Sequence, residues 1–355
     1  MSSIQSNKTN RVLYFDVLRV IACLSIIMIH TSVEFVNKDI GSLNFWTGNI
    51  LDSLARIGVP VFIMISGALM LDKNYQFTTK KLIGHITKMV VFFVCWSAFY
   101  CVVFKILLGH FVKHESLSAV GILDSFIKGH YHLWFVYLII GLYLIVPLLR
   151  LWVKTENKKA IEYFIILSIV FTYLIPQIIS IGSNYSGLFE SLNDILVKKL
   201  QLDYVGGFTT YFILGWYLNN YDIKKKKLIY SLGFLGLIIS IVGTYILLTT
   251  TGKKIYMYDN LSINVLFQSL AVFVFVKGKF KNKNTNIKII NSISKYSLGI
   301  YAIHAMFVSI MYEAIEKTNF NIAIVNILIV FCVSFVLAYL GSFILSKIPF
   351  FKKIV

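Results

Sequence analysis

The chain has 355 residues, of which 57% are apolar and only 14% are charged, and its mean hydropathy is +0.76. A soluble domain carries roughly 25% charged and 45–50% apolar residues, so the composition excludes a disordered chain and an ordinary soluble enzyme. The net charge is +18, and in a soluble protein such a surplus would indicate a nucleic-acid partner. What the surplus means depends on where the lysines and arginines lie.

Ten apolar segments are candidate membrane crossings, since a helix needs roughly 20 mostly apolar residues to span a bilayer. In chain order they are Val12–Val33, Phe45–Leu71, Ile86–Leu108, His132–Val153, Ile161–Ser180, Tyr204–Asn219, Leu228–Thr249, Leu261–Val276, Tyr296–Ile315 and Ile322–Ser346. The second is long enough to be tilted or broken near Pro60, and the sixth and eighth are short. Because lipid offers the backbone no hydrogen bonds, helices are the expected form. The sequence therefore predicts an all-α, polytopic membrane protein of about ten transmembrane helices, as one domain over residues 1–355.

The positive charges alternate between the connecting segments. Of the 34 lysines and arginines, twenty-three lie on the side that carries both termini, eight lie on the other side, and three lie inside the apolar segments. Positive charge marks the cytoplasmic side, so residues 1–11 and 347–355 are predicted to be cytoplasmic tails of a multi-pass protein of the cell membrane. Topology and the lipid bilayer then account for the surplus, and no nucleic-acid partner is expected.

The cysteines and loop histidines do not indicate a metal. All four cysteines lie within apolar segments and form no CxxC pair, so neither a disulfide nor a cysteine metal site is expected. His110 and His114 are four residues apart, but they stand in a predicted loop without a third ligand. His130 reads as a solvated residue of the loop or the membrane interface.

The first segment carries ionisable residues that a membrane tolerates poorly. Each costs roughly 2.5–3.5 kcal/mol on insertion scales, which makes Asp16, Arg19 and His30 functional candidates. Eleven residues separate Arg19 from His30, so the two share a helix face about 16 Å apart. Glu34 lies one further turn along the same face and is predicted to orient the imidazole of His30.

The second segment runs back through the membrane and carries Asp52 and Arg56. Two helices joined by a short loop are neighbours, so Arg56 is expected at a depth close to that of His30, in a shared cavity. The alternative is that Asp52 and Arg56, four residues apart, only neutralise each other.

Two later segments supply further candidates. His132 and Trp134 open the fourth segment at the membrane interface, where a tryptophan is also a common anchor. Tyr301 and His304 share a stripe of the ninth segment, and a buried histidine that only donates to a carbonyl is the alternative for His304. A histidine base together with arginines suits acyl transfer to a hydroxyl, but composition and spacing alone do not separate this chemistry from transport.

Four segments of the chain resemble, in order, the signatures of the acyltransferase family 3 membrane proteins. The first reads YFDVLR at 14–19 and continues to His30, the second reads RIGVPVFIMISG at 56–67, the third reads HLWF at 132–135, and the fourth reads SLGIYAIH at 297–304. Within the family, the sequence is most similar to the O-acetyltransferase type of enterobacterial common antigen synthesis. Many relatives carry a second arginine beside the one that matches Arg56, whereas this chain has Ala55 and Ile57 there.

The resemblance implies a membrane O-acetyltransferase that moves an acetyl group from acetyl-CoA, as a co-substrate rather than a bound cofactor, to a hydroxyl of a cell-envelope sugar or polysaccharide. It implies that His30, with Glu34 and Arg56, is catalytic and that Arg19, with Asp16, binds the donor. The cavity lining that it suggests is His132, Trp134, Tyr301 and His304, without a metal. The alternative within the same family is an exopolysaccharide exporter or a small-solute transporter. The acceptor is not indicated.

Overall fold

A computed structural model describes residues 12–36, 38–112, 118–199, 206–253, 257–283, 285–318 and 322–354, without the side chains of 108–112 and 353. These residues form fourteen α-helices and no strands. The helices are α1 Leu13–Val36, α2 Leu43–Ala55, α3 Gly58–Met70, α4 Thr79–Tyr100, α5 Ala119–Lys128, α6 Trp134–Val153, α7 Lys158–Ser168, α8 Ile175–Gly182, α9 Gly187–Leu192, α10 Phe208–Asn220, α11 Lys226–Thr251, α12 Ile263–Phe280, α13 Lys288–Glu316 and α14 Ala323–Leu345. The predicted all-α architecture is confirmed.

Nine helical segments of the described chain are long and apolar enough to cross a membrane. They correspond to nine of the ten predicted segments: Leu13–Val36, Leu43–Met70, Thr79–Leu107, Trp134–Val153, Lys158–Gly182, Lys226–Thr251, Ile263–Phe280, Lys288–Glu316 and Ala323–Leu345. Some combine two helices. α2 and α3 together make the second, while π-helical turns at Ile169–Leu174 join α7 to α8 in the fifth. The protein is thus a multi-pass membrane protein.

The second segment breaks at Arg56 and Ile57, between α2 and α3. Pro60 lies four residues after Arg56, has no N–H to donate, and crowds the carbonyl of the fourth residue before it. The next N–H, that of Val61, does bond the carbonyl of Ile57, at 3.0 Å. The break predicted near Pro60 therefore occurs one turn before it and places Arg56 at the kink.

The sixth predicted segment, Tyr204–Asn219, differs most from expectation. Its first residues lie outside the described ones, and the rest forms the 13-residue helix α10, which at about 20 Å is too short to span a bilayer alone. It nevertheless connects both ends of the bundle. Near its start, Tyr211 donates to the carbonyl of Asn260 before α12, at 2.6 Å, and at its end Asn219 accepts from Tyr14 in the first turn of α1.

The direction of α13 supports counting α10 as a crossing. α13 runs parallel to α1: Ser294 donates to Asp16 at 2.6 Å, and ten or more residues further along each helix the rings of His30 and His304 stack. With α10 counted, α13 is the ninth crossing and must run parallel to the first. Without α10 it would be the eighth and antiparallel.

A close approach packs α10 against α3. A Cβ on Gly67 would overlap the backbone carbonyl of Phe212, and a Cβ on Gly215 would overlap that of Met64. Only glycine lets two helix backbones come so close. So short a helix can lie in the core because eight of its thirteen residues are buried among neighbouring helices rather than in lipid.

The two ends of the bundle differ in charge. The end where α1 begins and α14 finishes carries Lys73, Lys154, Lys226 and Lys281, and we call it the basic face. The opposite end is the far face. Residues 1–11, one predicted tail, lie outside the described residues, while in the other predicted tail a short 3₁₀ helix spans Phe351–Lys353. That the basic face is cytoplasmic stays a prediction from the charge pattern.

Candidate active site

Four histidines converge near the far face, and we call them the histidine cluster: His30, His130, His132 and His304. The rings of His30 and His304 stack with their centroids 5.3 Å apart and an interplanar angle of 29°. His132 meets His304 edge-on at the same centroid distance, and its Nδ1 lies 3.0 Å from Nδ1 of His130. Three of the four, His30, His132 and His304, were predicted to share a cavity, and the structure brings them together.

The hydrogen bond of His304 fixes where its proton lies. Nδ1 lies 2.7 Å from the carbonyl oxygen of Tyr301, and a carbonyl only accepts, so Nδ1 carries the hydrogen and Nε2 keeps a lone pair. Nε2 is buried and has no hydrogen-bond partner among the described residues. The predicted carbonyl bond is therefore present, but it accounts for only one of the two ring nitrogens.

His30 lies at the open side of the cluster. It is half-buried, its ring makes no hydrogen bond within the described part of the chain, and Tyr131 packs edge-on against it at 4.9 Å. His304, Arg56 and His130 all lie within electrostatic range of it. Both ring nitrogens of His30 are thus available to a substrate.

Two tyrosines hold the backbone around the cluster. The hydroxyl of Tyr301 donates to the carbonyl of His132. The hydroxyl of Tyr100 donates to the carbonyl of Ala302 at 2.7 Å and accepts from the N–H of Met306 at 3.2 Å. Tyr301, which was predicted to line the cavity, therefore positions His132, whereas the sequence analysis did not identify Tyr100.

His130 was predicted to be a solvated residue of the loop or the membrane interface, and the structure corrects this in part, because the ring is half-buried against its neighbours. Its ring stacks on Tyr100 with a centroid distance of 4.3 Å and contacts His132. Burial and the neighbouring His304 lower the pKa of His130 to about 4, because a charged imidazole is disfavoured away from water and near other cations. The HYH pattern at 130–132, directly before an apolar segment, was the signal that could have identified it.

Arg56 is held by Asp52. Its Nε donates to Oδ2 of Asp52 at 3.0 Å, one Nη atom donates to the same oxygen, and Ser32 donates to Oδ1 at 3.3 Å. Asp52 and Arg56 therefore form the ion pair that the alternative interpretation predicted. The pair uses two of the three guanidinium nitrogens, and Nη1 has no hydrogen bond among the described residues. The guanidinium also lies 4.5 Å from the ring centroid of Tyr258, a contact that the sequence did not indicate.

Arg19 and Asp16 lie at the other end of α1, toward the basic face. Asp16 is buried and accepts hydrogen bonds from Arg19 at 3.2 Å and from Ser294 at 2.6 Å. The side chain of Arg19 is 29% exposed. Asp16 therefore positions Arg19 and is itself closed to a ligand.

Two predicted site residues lie apart from the cluster. Glu34 makes no hydrogen bond or ion pair with His30 in the described structure, and Tyr312 lies near it instead. Trp134 is exposed, and its ring packs near Phe208 at 6.0 Å. The roles of both residues stay predictions.

A cavity of about 430 Å³ opens toward the far face beside this site. Gln177, Asp259 and Ser262 line it, together with Thr172, whose buried hydroxyl has no hydrogen-bond partner among the described residues. Asp259 directly follows Tyr258, the residue that lies against Arg56. The cavity offers hydrogen-bonding groups suited to a polyhydroxylated ligand. No group of three or more His, Cys, Asp or Glu side chains in the described ranges is arranged to hold a metal ion.

The fold and the buried polar site define the class as a multi-pass α-helical membrane protein with a candidate catalytic centre inside the bundle. The acyltransferase domain of acyltransferase family 3 matches residues 12–347, nearly the whole chain, and the protein belongs to this family. No curated protein matches the chain, and no solved structure matches it. Family membership indicates a membrane acyltransferase.

Proposed function

We propose that this protein is an O-acetyltransferase that moves the acetyl group of acetyl-CoA to a hydroxyl of a cell-envelope sugar. The observation that carries the proposal is the stacking of His30, which has no hydrogen bond among the described residues and lies within electrostatic range of Arg56, on His304 with its unpartnered Nε2. A neutral imidazole and an arginine supply the base and the oxyanion partner that acyl transfer to a hydroxyl needs. The sequence similarity to the O-acetyltransferase type of enterobacterial common antigen synthesis supports this proposal.

The donor enters from the basic face, which we take as cytoplasmic. Arg19 is partly exposed there and is held in place by Asp16, and an arginine binds phosphate oxygens well. About 16 Å of helix separates Arg19 from His30. This separation suits a donor whose phosphates stay near one face while an extended arm carries the thioester to the other.

The transfer step uses the residues near the far face. His30 takes the proton of the acceptor hydroxyl as its oxygen attacks the thioester carbonyl, and Nη1 of Arg56 stabilises the oxyanion. When the tetrahedral intermediate collapses, the carbon–sulfur bond breaks, and the proton passes from His30 to the departing thiolate of coenzyme A. His132, Tyr301 and His304 contact the reacting groups or position those that do.

The acceptor approaches from the far face. Gln177, Asp259 and Ser262 line the 430 Å³ cavity there. Each already bonds a neighbouring group of the protein, and the donor and acceptor positions that remain match the hydroxyls of a sugar. Trp134, exposed at the same end, offers an aromatic face. An envelope glycan or a lipid-linked sugar fits this chemistry and this location.

The test is acetyl incorporation into envelope glycans, measured by mass spectrometry, with the His30→Ala variant. We expect incorporation to fall by at least about 100-fold, while the protein still inserts into the membrane and keeps its thermal stability. Gln268→Ala is the matched control, because Gln268 is a buried polar residue that bonds Ser240 at 2.8 Å in a different helix pair. Normal acetylation by the His30→Ala variant would end the catalytic assignment.

The same buried polar groups also fit a transporter, the alternative function. Acetyl-CoA separates the two proposals. An acetyltransferase slowly hydrolyses or at least binds it, so purified protein that shows neither hydrolysis nor thermal stabilisation by coenzyme A would favour transport.

A further inference from the structure

Two lysine runs that lie far apart in the sequence meet in one cavity at the basic face. The cavity measures about 330 Å³ and lies between the start of α11 and the end of α12. Lys224 and Lys226 line it from one run, and Lys277 and Lys281 line it from the other. The topology rule explains why lysines occur on this face, but it does not explain why they converge.

Lys277 builds one wall of this cavity. Its ammonium donates to the carbonyls of Leu218 at 2.6 Å, Asn219 at 3.2 Å and Tyr221 at 3.4 Å, and to Oδ1 of Asp222 at 3.0 Å. These carbonyls end α10, where a cation is favourable. Lys277 is therefore fully engaged and holds the cavity in shape.

Lys226 and Lys281 make fewer hydrogen bonds than Lys277. Lys281 lies 3.5 Å from the same Oδ1 of Asp222, and the side chain of Lys226 reaches to within 3.8 Å of where a Cβ on Gly278 would lie. Lys226 and Lys281 both lie within electrostatic range of Lys277. Hydrogen bonds from Lys277 lower the pKa of Asp222 below its usual range, so this carboxylate stays ionised, yet it is one negative charge among several positive ones.

The start of α11 adds to the positive field. The helix begins at Lys226, and Lys225 before it provides no side-chain cap. The side chain of Lys225 thus caps none of the first N–H groups of this 26-residue helix, and the helix dipole places partial positive charge at this end. Lys224 and Lys226 line the cavity from the same end.

We propose that this lysine cavity binds a phosphate group, as a phosphomonoester or a diphosphate. Two sources have this chemistry, the nucleotide part of coenzyme A and the headgroup of an anionic lipid. The cavity borders the start of α1, because Tyr14 donates to Asn219 beside Leu218, and Arg19 lies on the same helix about 8 Å further along its axis. This location favours the coenzyme, and that part of the inference rests on the proposed function.

The experiment measures binding rather than turnover, so its outcome is independent of acetyl transfer. The full-length protein is placed in nanodiscs of phosphatidylcholine and titrated with coenzyme A and with 3′-dephospho-coenzyme A. The variants are Lys226→Gln, Lys281→Gln and the double change, and Lys295→Gln is the control, since Lys295 lies on the basic face but beside Tyr296 of α13. Nanodiscs with added phosphatidylglycerol form the second arm.

We expect the double change to weaken coenzyme A binding at least about tenfold, while Lys295→Gln leaves it unchanged, and high salt to reduce the wild-type affinity. If only the stabilisation by phosphatidylglycerol is lost, the phosphate comes from a lipid and the site still stands. The proposal fails if the double variant keeps its unliganded thermal midpoint and also keeps both coenzyme A binding and stabilisation by phosphatidylglycerol. A Lys226→Glu variant repeats the test with reversed charge, and an unaltered response there would also overturn it.

Discussion

His30 and His304 stack at 5.3 Å between ring centroids, although one lies in the first crossing and the other in the ninth. The contact exists because α1 and α13 run parallel, with Asp16 and Ser294 joined near the basic face. The two ends of the chain thus build one site. Any rotation of one helix against the other changes the distance between the candidate base and the imidazole that stacks on it.

We expect His304 to act through Nε2 and not only through its bond to Tyr301. An asparagine at this position can reproduce the Nδ1–H donor to the carbonyl of Tyr301 but has no group where Nε2 lies. The His304→Asn variant should therefore keep the thermal stability of the wild type within a few degrees and lose acetyl transfer by at least about tenfold. Transfer rates in membrane vesicles and thermal midpoints of the purified protein check this.

The comparison with His304→Ala separates the two roles of this residue. Alanine removes both nitrogens and the fully buried ring, so the hydrogen bond to the carbonyl of Tyr301 is lost and a cavity remains. This change should destabilise the protein by about 2–5 kcal/mol as well as inactivate it. If His304→Asn were as active as the wild type, His304 would be a structural residue and the stacking on His30 would have no role in catalysis.

Variants of Arg56 and Asp52 test whether Arg56 only neutralises Asp52 or also takes part in acetyl transfer. Asp52 is fully buried, and removing one partner of a buried ion pair costs about 3–5 kcal/mol. Arg56→Gln alone should therefore both destabilise and inactivate the protein. The double variant Asp52→Asn/Arg56→Gln removes both charges, so we expect much of the stability to return while acetyl transfer stays at least about 100-fold below wild type. Recovery of transfer in the double variant would show that Arg56 serves only to neutralise Asp52.

The sequence predicted the crossings well because each is a long apolar segment with charged ends. It also predicted a short sixth segment, but it could not predict how so short a helix is accommodated. The shortness of α10 is compensated by burial among other helices and by the contact of Gly67 with the backbone of Phe212. Such a compensation is tertiary and leaves no local signal.

The site was predicted in part for a related reason. His30, His132 and His304 stand out because ionisable residues are costly in apolar segments. His130 and Tyr258 lie in connecting segments, where polar residues are ordinary, and only the packing of the helices brings His130 to His132 and Tyr258 to Arg56. The expected contact of Glu34 with His30 rested on helical spacing alone, and spacing does not fix where a flexible side chain points.

The close approach of α3 and α10 predicts that a side chain at Gly67 destabilises the protein far more than one at Gly141. In Gly67→Val the new side chain would overlap the backbone of Phe212, so the helices must separate and we expect a loss of several degrees in thermal midpoint or failure to accumulate in the membrane. Gly141→Val in α6 is the control, because a Cβ there meets nothing within 4 Å. Equal stability of the two variants would mean that α3 and α10 do not pack as described.

The lowered pKa of His130 predicts a pH dependence of stability. Its pKa in the folded protein is about 4, against 6.5 for an unperturbed histidine. Between these values the unfolded chain binds a proton that the folded chain does not, so the free energy of unfolding falls as the pH drops from about 6.5 toward 4.

A His130→Gln variant cannot take up this proton, and its thermal midpoint should fall less steeply over the same interval while running parallel to the wild type above pH 7. Thermal unfolding in nanodiscs at half-unit steps from pH 4 to 8 measures both curves. Parallel curves over the whole range would show that folding does not change the proton affinity of His130, which would contradict its packing against Tyr100.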